Sequence, residues 1–507
     1  MTYSIINRIV TTPPPPGHRI SFMRLTGTES VELTDLYIQA GRVACELRGR
    51  GVGPGDRIGI MAANCLEWVL LDLAALRLKA VTAGLDAGKF DPGAAVADYR
   101  LKLLFTDQAG GARDILPMDQ VRRFAEKPGP ADPPPVRYAR QDVMTLRFTS
   151  GSTGTPKAIA PTTDSVDSSL HSVQQMFRHG PGDDLFCFLP LVLQQQRFWI
   201  YSALCFGHDV TVSTYQAAFA ALPRCQPTVI MGVPAFYDAA KTHIEAAAGG
   251  RPGAPGASPH SAARQLFGSR VRYLWTGSAP ASLSTLRFFR SCGLPIYEGY
   301  GLNEAGIVSK NHPGAWKEGS AGRLLPGMRV TFGPDGVISV HTDHPVTSRY
   351  EYAAPGESER VFPAPGLVRT SDIGHLDEEG FLFIRGRADD AIVLGNGRKF
   401  LVRPMEEYMK ASPAVAECVV FCLAGEYLAA VVSPAGTPAD EEAIAARLGD
   451  CNRAFGADEQ ISRLVIAAPP LSIADGLLTN QLKPRRRQIF EAYRRQLLAR
   501  KEGSLAG

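Results

Sequence analysis

The chain has 507 residues, is 45% hydrophobic and 21% charged, and carries a formal charge of +4. That length predicts about two to four domains or subdomains around sizeable cores, and so small a net charge gives no case for nucleic acid. Cysteines at 45, 65, 187, 205, 225, 292, 418, 422 and 451 form no CxxC pair and have no histidines at metal spacing, so reduced thiols in a cytoplasm and no protein-bound transition metal are expected.

The opening "MTYSIINRIVTTPPPPGHRI" lacks a basic-then-apolar signal pattern, and its four prolines end any helix there, so secretion is not expected. From Glu32, "ELTDLYIQAGRVACELRGRGVGPGDRIGIM" predicts a helix capped by Thr34, a break at Gly51 to Gly55 and the strand "RIGIM". The apolar run "LEWVLLDLAALRLKAV" carries Glu67, Asp72, Arg77 and Lys79, which makes it a core helix rather than a membrane span. "LKLLFTD" follows as another strand, and helices alternating with short apolar strands argue for layered α/β architecture. The Pro-rich "EKPGPADPPPVRYA" and the segment Gly249 to Ala263 read as surface connections.

Between those two connections lies "LRFTSGSTGTPKAIAPT", Leu146 to Thr162. Leu146 and Phe148 alternate with Arg147 and Thr149 as a short strand does, so the glycines follow a structured element. Thr149, Ser150, Ser152 and Thr153 offer hydroxyls, Gly151 and Gly154 admit close backbone approach, and Lys157 adds a cation, a set suited to phosphate. A plain polar turn has the same composition, and the segment is not the GxxxxGK[ST] phosphate loop.

Further on, "YLWTGSAPASLSTLRFFRSCGLPIYEGYGLNEAG" holds two strand-like runs ending in turns at Gly277 and at Gly299-Tyr300-Gly301, and ligands of open α/β sheets bind at such carboxyl ends. Tyr300 offers a flat face for a base and Glu304 a carboxylate suited to Mg²⁺ on phosphate oxygens; a buried tyrosine and a helix-capping glutamate are the plainer alternatives. "RTSDIGHLDEEGFLFIRGRADD" places Asp372 at a strand end, where a carboxylate takes two ribose hydroxyls, and Arg387 beside a polar hinge at Arg385 to Asp390. Past Gly380 the pattern changes to that of a small α+β domain, with "AECVVFCLA" and "YLAAVVSP" as strands and a basic closing helix. Lys483 stands in "LLTNQLKPRRRQIF", a tail that alone reads as a solvated basic face.

Together these segments resemble the adenylate-forming superfamily of acyl-CoA synthetases, adenylation domains and luciferases, over nearly the whole chain. "TSGSTGTPK" is similar to its phosphate signature, "YGLNE" to its Tyr-Gly-x-Thr-Glu, "SDIG" to its ribose-binding motif, "GRADD" to its hinge and "TNQLKPRR" to its catalytic-lysine motif. Within it, "KEGSAGRLLPG" and "DEEGFLFIRGRADDAIVLGNGRKFLVRPMEE" resemble long-chain fatty acyl-CoA synthetases most.

The resemblance implies an adenylation domain over residues 1–386 and a mobile α+β domain over 387–507 that swings about Asp389. It implies that Thr149, Ser150, Gly151, Ser152, Thr153, Gly154 and Lys157 hold the ATP phosphates. Gly277, Ser278, Ala279 and Pro280 with Glu298, Gly299, Tyr300 and Gly301 would enclose adenine. Asp372, Arg387 and Arg398 would contact the nucleotide, Glu304 would bind Mg²⁺, and Lys483, with Asn303 nearby, would bridge the carboxylate and the α-phosphate. The implied reaction joins an acid to AMP and then to the thiol of coenzyme A, with an amine acceptor and an unusual acid, nitrite included, as the alternative.

Two departures matter, the first near the α-phosphate, where activity is expected to survive it, and the second near the acyl carboxylate, where it bears on the substrate or the second half-reaction. Asn303 replaces the family's threonine, and in "FLPLVLQQQRFW" Leu193 and Gln196 replace a histidine and a glutamate while Arg197 remains. Gln194, Gln195, Arg197, Met231 and Trp275 are expected around the acyl group. If the glutamines face the substrate, short, polar or aromatic acids are favoured over palmitate; if they face solvent, they are unremarkable.

Overall fold

The computed structural model describes residues 3–108, 113–149, 156–249, 258–388, 391–393, 399–423, 427–456, 459–479 and 482–499. The alternating segments form two mainly parallel sheets. One runs Ile115–Pro117, Leu101–Thr106, Arg57–Met61, Val81–Gly84, Thr145–Thr149, Lys157–Ile159, and only its last pairing is antiparallel. The other places Ile296–Leu302, Tyr273–Thr276, Val229–Gly232, Asp184–Cys187 and Asp209–Val212 side by side in parallel, with hairpin strands at its edges.

Helix Leu66–Arg77 explains its own composition: it is mostly apolar, with no solvent face, because it lies in one core with Ile58 and Phe105 of the first sheet and Cys187, Met231 and Trp275 of the second. It stops where Lys79 adopts a left-handed φ of 55°. Helix Gln194–Phe206 shares this central layer. On the far side of the second sheet, helices Ala218–Cys225, Pro234–Ala248, Pro259–Phe267 and Leu283–Ser291 close another core.

A smaller antiparallel sheet, Met328–Phe332, Val337–Thr342, Leu367–Leu376 and Leu382–Arg387, follows. The C-terminal unit has its own α+β core: strands Val415–Leu423, Tyr427–Pro434 and Ile461–Ile466 pack Met405 and Ile444 on one face and Ile489 and Leu497 on the other. The expected architecture, layered α/β followed by a small α+β unit, is what the chain adopts.

Three local expectations are corrected. The helix expected to be capped by Thr34 starts at Leu33, with Glu32 in the cap position and no side-chain cap. Pro259–Phe267, expected as loop, is helical because Ser258 accepts from the Ser261 amide and Pro259 sits in the first turn, where its missing N–H costs nothing. Gly299-Tyr300-Gly301 is no turn: the strand continues to Leu302 through a bulge at Tyr300/Gly301. A Cβ on Gly301 would lie 2.3 Å from the Gly306 carbonyl oxygen, so the glycines serve close backbone approach. Among the described residues no helix is long and apolar enough to cross a membrane.

Candidate functional site

The Ser/Thr/Gly segment hangs between two antiparallel strands whose register sets Thr149 opposite Lys157. Ser150, Gly151, Ser152, Thr153 and Gly154 lie outside the described residues, as do Asp389 and Arg398. The stem is described. Lys157 Nζ sits 2.7 Å from Glu357 Oε1 and 5.4 Å from the Tyr350 ring centre, and Tyr350 donates its hydroxyl to Glu304 Oε1 at 2.7 Å. Lys157 and Glu304, far apart in sequence, thus meet through one tyrosine.

The next residue, Asn303, accepts through Oδ1 from Arg147 Nη2, and Arg147 Nη1 donates to Gln194 Oε1 at 3.1 Å. Arg147 is half-buried on the strand that leads into the Ser/Thr/Gly segment. Burial and the nearby Arg197 press its pKa down to about 10, against the opposing pull of Glu304.

On the other side of the hairpin, Tyr300 donates to Asp372 Oδ2 at 2.7 Å, and Asp372 pairs with Arg387 across the small sheet. The tail lysine arrives at this pair: burial and the Arg387 charge, with a smaller push from Arg403 and against the pull of Asp372, bring the Lys483 pKa down to about 8. Tyr300, Asp372, Arg387 and Lys483 therefore lie within electrostatic reach of each other.

Glu298 Oε1 accepts from the Ala281 amide at 2.9 Å, which ties the strand to the turn Gly277–Pro280, where Ser278 holds a left-handed φ of 74°. Burial pushes the Glu298 carboxyl up to about 7. A Cβ on Gly299 would stand 2.7 Å from the Lys310 side chain. Lys310 itself, 0% exposed, donates to the Thr276 and Tyr297 carbonyls at 3.1 and 2.7 Å and rests its ammonium 3.5 Å from the Trp275 ring centre. Sequence offered no sign of this lysine beyond its place next to a hairpin.

The residues expected around the acid fare differently. Arg197, 1% exposed, has Nη1 2.8 Å from Asp72 Oδ1 and donates to Thr82 and Thr145, while Tyr201 donates to Asp72 at 2.5 Å. Its charge is spent on Asp72, so the expectation that it presents a cation to the acid gives way to an internal ion pair. Met231 Sδ accepts from Gln196 Nε2 at 2.9 Å and from Trp199 Nε1 at 2.6 Å, and the Trp199 and Trp275 rings meet edge-on at 5.2 Å. Met231 and Trp275 are wall, packed and buried; Gln194 is buried against Arg147, and Gln195 is half-buried.

The donor set fits a magnesium ion that arrives on a nucleotide. Among the described residues no group of three or more His, Cys, Asp or Glu side chains gathers as a metal cage, and Mg²⁺ typically takes one or two carboxylates with the remaining ligands from phosphate and water. Glu304 is the carboxylate expected in that role.

Residues 15–332 match the family described as AMP-binding enzyme, and residues 389–499 match the AMP-binding enzyme C-terminal domain. The long-chain-fatty-acid–CoA ligase FadD15 of Mycobacterium bovis is 27% identical over 465 residues, covering 78% of this chain and 76% of that protein. ATP-bound MatB from Rhodopseudomonas palustris has a similar fold, with a TM-score of 0.80 at 22% identity over 97% of this chain and 99% of that one. So does the o-succinylbenzoate CoA synthetase MenE of Bacillus subtilis in complex with ATP and magnesium, at a TM-score of 0.74 and 21% identity over 96% and 98% of the two chains.

Proposed function

The chain belongs to the AMP-binding enzyme family, and from that premise we propose that it is an ATP-dependent ligase that activates an acid to an acyl-adenylate with release of pyrophosphate, then transfers the acyl group to the thiol of coenzyme A. The observation that carries this reading is the meeting of Lys483 with Asp372 and Arg387 beside Tyr300. On this reading Asp372 is the ribose carboxylate, Tyr300 the base-stacking ring and Lys483 the cation that the C-terminal unit brings to the α-phosphate.

The chemistry asks for this set. An acid anion attacking a phosphate anion must be aligned and have its charge offset, and the protein's share is positioning and electrostatics. Thr149 and Lys157 flank the phosphate segment, Glu304 would hold a magnesium ion, whose charge would shield the phosphates, and Lys483 bridges acid and α-phosphate. Asp372 and Arg387 orient the ribose, and Glu298 braces the adenine turn through Ala281. The unit from 387 onward rotates about Asp389 so that Lys483 leaves for the second half-reaction. The nine cysteines form no disulfide, which suits a cytoplasmic enzyme.

The alternative reading keeps the adenylate and changes the ends: an unusual acid, nitrite included, passed to an amine in a natural-product pathway without coenzyme A. Leu193 and Gln196, where relatives have histidine and glutamate, favour keeping it in view. An acid-dependent assay of AMP and pyrophosphate release, with and without coenzyme A and with an amine, separates the two. No AMP with any acid would refute both.

A further inference from the structure

An arginine that pairs with amides rather than acids is short of an anion. Arg147 donates to Gln194 Oε1 and Asn303 Oδ1, both neutral, and among the described residues it has no carboxylate within ion-pair distance. Neutral carbonyls satisfy N–H groups without cancelling charge, and a partly desolvated cation gains most from an anionic partner. Gln194 adds a second sign. It is 2% exposed, its amide oxygen is fixed toward Arg147, and its Nε2 has no hydrogen-bond partner. A buried amide N–H left open costs on the order of 1–3 kcal/mol, and an anion bound at Arg147 would offer it an acceptor.

The surroundings limit what that oxoanion carries. Behind helix Gln194–Phe206, Gln196, Trp199, Met231 and Trp275 are buried and bonded to one another, and Phe177 packs on Trp275 with ring centres 5.0 Å apart. Met231 and Trp275, expected around the acyl group, are thus packed against their neighbours.

We propose that Arg147, with the Gln194 amide N–H and under the hold of Asn303, is the seat of the reacting oxoanion, and that the acid is compact: a planar XO₂⁻ group, carboxylate or nitrite, with little or no chain behind it. This rests on the ligase reading above and names its substrate class. The seat lies beside Glu304, the expected magnesium carboxylate. An oxygen of the seated anion attacks the α-phosphorus, the bond to the bridging oxygen breaks, and pyrophosphate leaves with the electron pair; no proton is transferred. Arg147 positions and discriminates, and both of its amide partners stand at or next to positions where this chain departs from the family pattern.

The test uses the full chain with MgATP. AMP formation is measured with nitrite, formate and acetate against octanoate and palmitate, for the parent, Arg147→Met and Arg147→Lys, with folding checked by circular dichroism. Calorimetry then measures binding of nitrite and acetate to the AMP-saturated protein. The expected result is turnover confined to compact acids, with Arg147→Met raising the KM for the acid roughly 10- to 100-fold, the KM for ATP little changed and Arg147→Lys partly restoring. Nitrite favoured over acetate, or the reverse, identifies the source. Arg147-dependent binding without AMP from any acid would sink the ligase reading and keep the seat. Preference for octanoate or palmitate, an acid KM indifferent to Arg147, or failure of both compact anions to bind would overturn the seat and leave the ligase reading in place.

Discussion

Replacing Arg197 by methionine distinguishes a substrate contact from an internal strut. Arg197 is 1% exposed, its Nη1 lies 2.8 Å from Asp72 Oδ1, and Asp72 keeps only neutral donors, Tyr201 at 2.5 Å and Thr82 at 3.2 Å, once the arginine is gone. Two hydroxyls satisfy lone pairs but do not offset a full charge, so Asp72 is left as an uncompensated buried carboxylate. Breaking one side of a buried pair costs about 3–5 kcal/mol. Urea unfolding followed by intrinsic fluorescence should show Arg197→Met losing that much, while Arg197→Met combined with Asp72→Leu recovers most of it, since replacing both partners by apolar groups is often close to neutral. An Arg197→Met protein with parent stability but a raised KM for the acid would refute the internal pairing and return Arg197 to the substrate.

Lys483→Ala should lower adenylate formation by on the order of 10²–10³ with ATP binding retained, because the lysine acts on the transition state. Its pKa of about 8, set by burial, Arg387, Asp372 and Arg403, means that raising the pH through that value removes the working charge. The kcat/KM of the parent enzyme should therefore fall on the alkaline side near pH 8, and Lys483→Arg should lose that limb. Asp372→Asn takes the charged acceptor from Tyr300 and should raise the KM for ATP roughly 10- to 100-fold with little change in acid preference. Trp199→Ala should open space beside Met231 and shift relative kcat/KM toward octanoate, at a stability cost of about 3–5 kcal/mol in urea unfolding.

Periodicity made the layered fold legible because it reports burial directly: Leu66–Arg77 is mostly apolar with no polar face, and every residue of it but Glu67 is buried. Pairings were not legible. Asp72 and Arg197 are 125 positions apart, and nothing in "LLDLAAL" or "QQQRFW" announces that one answers the other, so a cation among glutamines read as a substrate contact. Arg147 was visible only as the polar partner in an alternating strand, since its meaning depends on which side chains from two other segments meet it. The glycines at 299 and 301 read as a turn because sequence shows that glycine is needed but not whether positive φ or the absence of a Cβ is the reason.

The charges around the phosphate segment also show why these residues were hard to weigh one at a time. Lys157 is answered by Glu357, and among the described residues Glu304 is hydrogen-bonded to the Tyr350 hydroxyl. Arg147 holds two amides and Lys483 carries a lowered pKa. Among the described residues Arg147 thus meets neutral hydrogen-bond partners, while Lys157 at the stem of the Ser/Thr/Gly segment is already paired with a carboxylate. Phosphates entering that segment must draw Lys157 from a carboxylate, whereas an acid anion arriving at Arg147 displaces no carboxylate. On the proposed reading, the acid side is the better preorganised half of the site, since fixed charge aimed at the reacting anions needs least rearrangement as the new bond forms.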